Sequence, residues 1–379
     1  MTRGLILTVA VLLLLVQGAV AGALPEEKAI RIDRLIEHFL KPGATPRADR
    51  PPGLSVAIGI DGELVAAKGF GEARQGVPAN GKTVYHIGSL TKQFTAAAVL
   101  RMIGDGARAP LTGAPLTLDT PMREVFDGVE RWSNRDDPPI SVRSLLTMTS
   151  NLPNFTLHPP RETDPWGAVA MPKLLAALKQ LPPHGWPNTF EYSNTSYFLL
   201  ARMIEAVAQG SKGPQASSRE YMRVNVLQPA GLTRTGFVGA YAPGSEVADG
   251  NYRRRPAFSQ PHWLDGCGDM ASNVEDLFLW DRALMAGGVL GRDAAGLMFS
   301  EGARVDPFTY YGMGWFIRHD GDWDSYYHSG SVPGFTSYNA IMRRTDSGRW
   351  LSVTLLTNSD GVEGLDGLAD EIFFVLRSE

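Results

Sequence analysis

The sequence contains a single cysteine, Cys267, among 379 residues. One cysteine excludes an intramolecular disulfide and a metal cage built from cysteine ligands. A chain of this length with 44% hydrophobic residues buries enough apolar surface to fold without such cross-links. The sequence around Cys267 lacks the histidine pattern of a reactive thiol. We therefore expect its side chain to act as a small, half-buried hydrophobic group.

The sequence also lacks any block of like charges, and its net charge is only -4. This balance argues against a nucleic-acid partner and favours a small-molecule or peptide substrate. In "RHDGDWD", the residues Asp320, Asp322 and Asp324 alternate as in a calcium-binding loop, but the closing glutamate of that motif is absent. We therefore predict a turn between two strands there, and neither a metal ion nor a cofactor.

A long apolar run occurs at the amino end, where Arg3 precedes an uncharged stretch from Gly4 to Val20. Small residues follow, as in a secretory signal peptide cleaved after Ala21 or Ala23. The alternative is an uncleaved anchor, because the run has about the minimum length of a membrane-spanning helix. We expect residues 1–23 to be a signal peptide, and the protein to be periplasmic or secreted without stable membrane association.

Apolar periodicity predicts strands at both ends of the chain and helices between them. The first segments are a helix over residues 27–40 and a hairpin that turns at Asp61 and Gly62. At the carboxyl end we predict an antiparallel meander before a last helix, with turns at residues 320–322, 330–334 and 346–348. Helical stretches separated by Pro- and Gly-rich loops occupy the middle of the chain.

These elements indicate an α+β fold with one antiparallel sheet that is built from both chain ends and flanked by helices. The sheet and its helices would take residues of about 27–87 and 301–379, and an inserted, mainly helical region would take about 88–300. We expect the functional site in the cleft at their junction.

The stretch "YHIGSLTKQF" places Ser89 at the start of a predicted helix and Lys92 three positions later. On a helix these two side chains share a face, and the amino end favours developing negative charge. A serine there can attack a carbonyl group, and its own N–H can help to hold the oxyanion. The ordinary alternative is a helix cap at Ser89 with a solvated Lys92, and the motif alone favours it.

A second motif, "YSN", places Tyr192 and Asn194 two residues apart in extended chain before another predicted helix. At that spacing the two side chains point the same way. The phenol can exchange a proton, and the amide can orient both Lys92 and a substrate carbonyl group. Taken singly, this motif carries almost no information.

A third motif, "HSG", lies where a predicted strand ends. His328 and Gly330 alternate onto one face, and the glycine allows a substrate to approach the backbone closely. The N–H of Ser331 is then a candidate second oxyanion donor. The ordinary alternative for His328 alone is a hydrogen-bonded histidine of a strand.

Together and in this order, "SLTK", "YSN" and "HSG" resemble the motifs of the serine β-lactamase and penicillin-binding protein superfamily. The second and third resemble its class C branch, which also contains DD-peptidases, D-aminopeptidases and esterases. The resemblance runs from about Leu54 to the end of the chain and implies a β-lactamase/transpeptidase-like fold in a single catalytic domain, residues 24–379. Met148 and Asn151 stand where relatives usually have histidine and glycine, which bears on substrate fit more than on the chemistry.

The resemblance implies a role for each residue of the first two motifs. Ser89 matches the nucleophile that becomes acylated, and Lys92 matches the buried lysine that activates it. Tyr192 matches the residue that exchanges protons with the serine and the leaving group. Asn194 matches the amide that orients the lysine and contacts the substrate.

The third motif is implied to line the other side of the site. His328 stands where many relatives have lysine; it would relay a proton through Tyr192 or, when charged, bind a substrate carboxylate. The backbone N–H groups of Ser89 and Ser331 would form the oxyanion hole. Ser329 and Gly330 would contact the substrate.

The predicted function is that of an exported serine hydrolase that acts on ester or amide bonds through an acyl-enzyme. The substrates would be D-amino-acid peptides or amides, carboxylic esters or, slowly, β-lactams, and His328 argues against antibiotic resistance as the physiological role. The alternative is a penicillin-binding or ligand-binding protein of the same fold that acylates without turnover. The sequence leaves open the choice between esterase and peptidase, and the oligomeric state.

Overall fold

The computed structural model describes residues 24–41, 52–127, 138–157, 186, 188–213, 215–239, 247–251 and 264–378. The predicted signal peptide lies outside these ranges, as does residue range 171–181, one of the helical stretches that the sequence predicts in the middle of the chain. Within them, no helix is both long enough and apolar enough to cross a membrane.

In chain order, the strands in the described parts of the chain are β1 (Leu54–Ile60), β2 (Glu63–Phe70), β3 (Glu72–Arg74), β4 (Val77–Pro78), β5 (Tyr85–His86), β6 (Gly236–Phe237), β7 (Met270–Ser272), β8 (Ala303–Arg304), β9 (Thr309–Tyr311), β10 (Phe316–Asp320), β11 (Trp323–Val332), β12 (Phe335–Arg344) and β13 (Trp350–Thr357). Strands β5 to β9 have only two or three residues each, whereas β10 to β13 have five to ten.

The helices of the same ranges are α1 (Glu26–Phe39), α2 (Thr91–Gly104), α3 (Val142–Leu146), α4 (Asn194–Lys212), α5 (Ser218–Met222), α6 (Val274–Ala286), α7 (Arg292–Met298) and α8 (Leu365–Arg377). A 3-10 helix, Gly88–Leu90, leads into α2, and another spans Met122–Glu124. A π-helical segment, Arg223–Leu227, follows α5.

The main sheet has eight strands in the order β2-β1-β13-β12-β11-β10-β9-β8. Strand β1 pairs antiparallel with β13, so that Leu54 lies opposite Thr357. The two ends of the chain therefore share one antiparallel sheet, and the predicted fold class is confirmed. The helical part between β5 and β8 is inserted into this sheet, as the sequence predicts.

The turns of the sheet follow the predictions at residues 61–62, 320–322 and 346–348 and differ in extent at residues 330–334. Asp61 and Gly62 have φ angles of 50° and 89°, as the tight hairpin between β1 and β2 requires. The turn predicted over residues 330–334 is confined to Pro333 and Gly334, because β11 continues to Val332. The third motif therefore lies within a regular strand.

Two apolar clusters cover the two faces of the sheet. Leu355 and Leu356 are neighbours on β13 and belong to different clusters, as the alternation of side chains in a strand requires. Leu355 faces α1 and α8, which contribute Ile36 and Ile372. Leu356 faces the larger cluster of α2, α4 and α6. The helix that begins beside Ser89 thus lies on the second face.

Cys267 is only 1% exposed, so the prediction of a half-buried cysteine is wrong. Its loop passes between α4 and α2 so closely that a Cβ on Gly266 would lie 2.5 Å from the Ala201 side chain. Burial raises the pKa of the Cys267 thiol to about 12, which keeps it protonated near neutral pH.

Candidate active site

Ser89 lies in the 3-10 helix that leads into α2, where the chain passes beside β11. Gly88 precedes it with a φ angle of 51°, and a Cβ on Gly88 would lie 2.9 Å from the backbone nitrogen of Ser331. Glycine is therefore needed here both for its backbone angle and for the close approach of the two segments. Neither the 3-10 helix nor α2 has a side-chain cap, so the capping alternative for Ser89 is wrong.

Lys92 is fully buried, so the alternative of a solvated lysine is also wrong. Its Nζ donates to Ser89 Oγ at 3.0 Å, to Asn194 Oδ1 at 2.7 Å and to the carbonyl oxygen of Cys267 at 2.7 Å. These three acceptors match the three protons of an ammonium group. Nζ also lies 5.0 Å from the centre of the Tyr192 ring, close enough for a cation–π contact.

Tyr192 donates its phenolic hydrogen to Ser89 Oγ at 2.9 Å. The serine oxygen is thus contacted by both the lysine and the tyrosine of the predicted set. Tyr192 lies before α4 as predicted, whereas Asn194 is the first residue of α4 and not part of the extended chain. Both side chains nevertheless reach the group formed by Ser89 and Lys92.

The other half of the Asn194 amide contacts a polar pair that our sequence analysis missed. Nδ2 of Asn194 donates to Thr156 Oγ1 at 2.9 Å, and Thr156 Oγ1 donates to Asn154 Oδ1 at 2.7 Å. The Asn-x-Thr spacing in "NFT" is typical of a turn closed by an asparagine side chain, which is the signal that was available.

The contact of Lys92 with the carbonyl group of Cys267 was also missed from the sequence. Every residue has a backbone carbonyl group, so the residue type does not indicate which one accepts a hydrogen bond. The loop of Cys267 is fastened to α2 by Thr95, whose Oγ1 donates to the carbonyl oxygen of Gly266 at 2.8 Å. The Gly266 N–H in turn donates to Asp269 Oδ1 at 3.0 Å. The third acceptor of Lys92 is therefore held in place from both sides.

A buried cluster of charges holds the same loop to α4 and α5. Asp265 accepts from Arg202 at 2.8 Å and from Arg219 at 2.6 Å, and Arg219 also lies 3.0 Å from Asp269. Burial and the neighbouring Asp265 carboxylate raise the pKa of Asp269 above its ordinary value. The loop that carries Cys267 is thus fixed by ion pairs of low exposure.

His328 is 1% exposed and makes two hydrogen bonds. Nδ1 lies 2.6 Å from the carbonyl oxygen of Ser329, which can only accept, so Nδ1 carries the hydrogen. The lone pair of Nε2 then accepts from the Tyr311 hydroxyl at 3.2 Å. Burial and the charge of Lys92 lower the pKa of His328 to about 3.

This geometry disfavours both roles predicted for His328. A buried imidazole with a low pKa stays neutral near pH 7 and does not present a charge to a substrate carboxylate. The His328 and Tyr192 ring centres are 6.1 Å apart, and the Nε2 lone pair is directed at Tyr311. Tyr311, which the sequence analysis overlooked, is therefore the proton-carrying neighbour of His328.

The backbone nitrogens of Ser89 and Ser331 each lie close to a glycine of the facing segment, Gly330 and Gly88 respectively. A Cβ on Gly330 would lie 3.0 Å from the Ser89 nitrogen and 2.1 Å from the carbonyl oxygen of Ile87. Only glycine at position 330 therefore lets β11 pass this close to the 3-10 helix. Ser329 and Ser331 are exposed on the other face of the strand, and this arrangement is compatible with the predicted oxyanion hole.

Met148 and Asn151, the two departures from the family pattern, both have positive φ angles of about 60°. Asparagine tolerates this conformation, as expected. Met148 is held in it by contacts on both sides of Tyr192, because its carbonyl oxygen accepts from Glu191 N at 2.9 Å and its Sδ accepts from Ser193 N at 3.3 Å. Met148 thus fixes the backbone of the second motif.

Comparisons with known proteins show the family of the chain. Residues 16–376 match the family model described as Beta-lactamase. The chain belongs to the β-lactamase family. The predicted resemblance to the serine β-lactamase and penicillin-binding protein superfamily is therefore confirmed.

Among curated relatives, a putative penicillin-binding protein, PbpX, of Bacillus subtilis is 25% identical over 84% of this chain and 74% of its own length. The chain spans 56% and 59% of two other relatives, the unguisins hydrolase ungD' of Aspergillus campestris and protein flp of Staphylococcus aureus. The remaining parts of those two proteins lie outside the aligned region.

Two solved structures illustrate the likeness in fold. The octameric penicillin-binding protein homologue of Pyrococcus abyssi has a TM-score of 0.74 and 25% identity, over 92% of this chain and 77% of that chain. D-amino acid amidase of Ochrobactrum anthropi SV3 has a TM-score of 0.70 and 21% identity, over 92% of this chain and 99% of that chain. At that identity the second comparison shows the fold alone.

Proposed function

We propose that this protein is an exported serine hydrolase that cleaves ester or amide bonds through an acyl-enzyme on Ser89. The observation that carries the proposal is the convergence of Lys92 Nζ and Tyr192 OH on Ser89 Oγ, at 3.0 and 2.9 Å. A nucleophile within hydrogen-bond reach of a candidate base, which is itself oriented by a third group, is typical of covalent catalysis. Asn194 supplies that third group by accepting from Lys92.

In the proposed acylation step, Ser89 Oγ forms a bond to the substrate carbonyl carbon and loses its proton. Oγ accepts from both neighbours in this structure, so one of them, the Lys92 amine or the Tyr192 phenol, must first be deprotonated to receive that proton. The oxyanion of the tetrahedral intermediate is stabilised by the N–H groups of Ser89 and Ser331. The bond to the leaving group then breaks, and the leaving group takes the proton.

In the proposed deacylation step, a water molecule attacks the ester carbonyl and restores Ser89. The same lysine and tyrosine accept its proton and return one to Ser89 Oγ. We place this chemistry in a single catalytic domain, residues 24–379, because the helical part contributes Lys92 and Asn194 while β11 contributes Ser331. His328 keeps the structural role that its two hydrogen bonds indicate.

The proposed substrates are D-amino-acid amides or peptides and carboxylic esters, with slow reaction of β-lactams. The fold shared with a D-amino acid amidase and a penicillin-binding protein homologue supports this range. The amino-terminal sequence supports export to the periplasm or beyond.

The proposal is tested with purified residues 24–379 and a panel of p-nitrophenyl esters, D-amino-acid amides, D-Ala-D-Ala peptides and a chromogenic cephalosporin. We expect turnover of at least one class, with a burst of product equal to the enzyme concentration that is lost in Ser89→Ala. Ser300→Ala, which removes an exposed hydroxyl bonded to Leu297 O, is the matched control. Unchanged turnover in Ser89→Ala would refute the mechanism, and stable labelling by a penicillin probe without turnover would favour the non-hydrolytic alternative.

A further inference from the structure

Asn194 accepts from Lys92 with one end of its amide and donates with the other. Lys92 Nζ donates to Oδ1 at 2.7 Å, and in its ammonium form it has no lone pair with which to accept from the amide nitrogen instead. If the amide rotated by half a turn, its NH₂ group would face the ammonium, and both groups would be donors. The activating lysine therefore depends on one of the two orientations of this side chain.

Thr156 is the residue that selects this orientation. Its Oγ1 accepts from Asn194 Nδ2 at 2.9 Å, and its own hydrogen is directed to Asn154 Oδ1 at 2.7 Å. A hydroxyl group has one hydrogen, and that of Thr156 is used for Asn154. Thr156 Oγ1 can therefore only accept from Asn194, so the amide nitrogen of Asn194 must face it.

Asn154 fixes the direction of the hydroxyl. Its Oδ1 also accepts from two backbone groups, the N–H of Thr156 at 3.2 Å and the N–H of Asn194 at 3.3 Å. Three donors converge on this atom, and it is identified as oxygen by the backbone groups, which can only donate. Asn154 is only 6% exposed, so the end of this arrangement at Asn154 is shielded from water, whereas Thr156 and Asn194 are partly exposed.

We infer that Thr156 is a positioning residue for the proposed acyl transfer, which sets the orientation of the Asn194 amide and thereby the acceptor for Lys92. This inference rests on the proposed function. It assigns Thr156 no contact with the reacting atoms. Hydrogen-bond donation runs in one direction, from Lys92 through Asn194 and Thr156 to Asn154 Oδ1, to which two backbone N–H groups also donate.

The test compares Thr156→Val, which keeps the shape and removes the hydroxyl, with Thr156→Ser, which keeps the hydroxyl. The pre-steady-state acylation rate is measured with a p-nitrophenyl ester. We expect Thr156→Val to lower it by about tenfold or more with KM within about twofold, and Thr156→Ser to stay within about threefold of the wild type. Thr112→Val, which removes a surface hydroxyl bonded to Glu124, is the control for loss of a threonine hydroxyl elsewhere.

A double-mutant cycle separates positioning from a general loss of structure. In an Asn194→Ala background the Thr156→Val change has no amide left to orient, so it should have less than a twofold further effect. An equal effect in both backgrounds, or no effect in the wild-type background, would overturn the inference. If Thr156→Val does not fold, Thr156→Ala is used in the same cycle.

The two proposals fail in different ways. Absence of any Ser89-dependent burst in the wild type overturns the proposed function and the inference with it. A normal burst that depends on Ser89 and is insensitive to Thr156 overturns only the inference.

Discussion

At the scale of single residues, the direction of each hydrogen bond follows from groups that can only donate or only accept. The lysine ammonium and the backbone N–H groups only donate, whereas the carbonyl oxygens of Cys267 and Ser329 only accept. These fixed ends determine the orientation of Asn194 and the tautomer of His328. In the structure described, the site is therefore ordered by a few groups that can only donate or only accept.

The burial of His328 gives a prediction for the stability of the protein in acid. The folded state holds His328 with a pKa of about 3, below its ordinary value of 6.5. Between these values the unfolded chain binds a proton that the folded chain does not, so the free energy of unfolding falls as the pH falls. At pH 5 this loss is roughly 2 kcal/mol relative to pH 7.5.

We expect His328→Gln to remove this part of the loss, as measured by urea unfolding at pH 5 and pH 7.5. His319→Gln is the control, because Asp324 raises the pKa of that exposed histidine, so its contribution has the opposite sign. An acid-side loss of the same size in His328→Gln and the wild type would show that His328 is protonated in the folded state.

At the scale of elements, the loop between residues 264 and 269 connects the site to α4 and α5. Arg219 is the cation that contacts both Asp265 and Asp269, which are 5% and 0% exposed. Without Arg219, Asp265 keeps its contact with Arg202, but the fully buried Asp269 loses its cation, which is costly. We therefore predict that Arg219→Met lowers the free energy of unfolding by about 3–5 kcal/mol.

The matched control is Arg223→Met, one turn further along the chain. Arg223 pairs with Glu220 at 2.7 Å, but both side chains are about half exposed, so its loss should have little effect on stability. Urea unfolding at pH 7.5 compares the two variants. Equal losses would mean that the buried cluster does not stabilise the loop.

Elements were predictable where their signal is local. The hairpin at Asp61 and Gly62, α1 and α8 follow from turn residues and apolar spacing within one segment. The continuation of β11 through Gly330 was not predictable, because that glycine is required by the approach of the segment around Ile87, far away in sequence. Helix α7 also escaped prediction, since its seven residues contain a glycine and few large apolar side chains.

The candidate site divides in the same way. Ser89, Lys92, Tyr192 and Asn194 were predicted as a group because each belongs to a recognisable motif, and the structure brings them within hydrogen-bond distance. The contacts of Thr156, Tyr311 and the Cys267 carbonyl were not, since they join segments that are separated along the chain. The neutral state of His328 follows from burial, which the motif does not encode.

At the scale of the whole molecule, the two faces of the main sheet carry different tasks. One face packs on α1 and α8, and the other packs on the helices that present Lys92 and Asn194. Lys28 on α1 donates to the carbonyl oxygen of Leu376 at 3.3 Å, which fastens the first described helix to the last. The first face thus joins the two ends of the chain and lies away from the candidate site.

This division predicts that stability can be lost on the first face without a change in the chemistry. Ile372 is fully buried on α8, and Ile372→Ala should lower the free energy of unfolding by about 2–5 kcal/mol through the cavity that it leaves. The acylation rate of the folded protein should stay within about twofold, because no contact of Ser89 or Lys92 is altered. Phe374→Ala is the control on the same helix, since that ring is 58% exposed and its loss should cost less than about 1 kcal/mol. A large fall in acylation by folded Ile372→Ala would mean that the sheet transmits packing changes from one face to the other, and that the two faces are not independent.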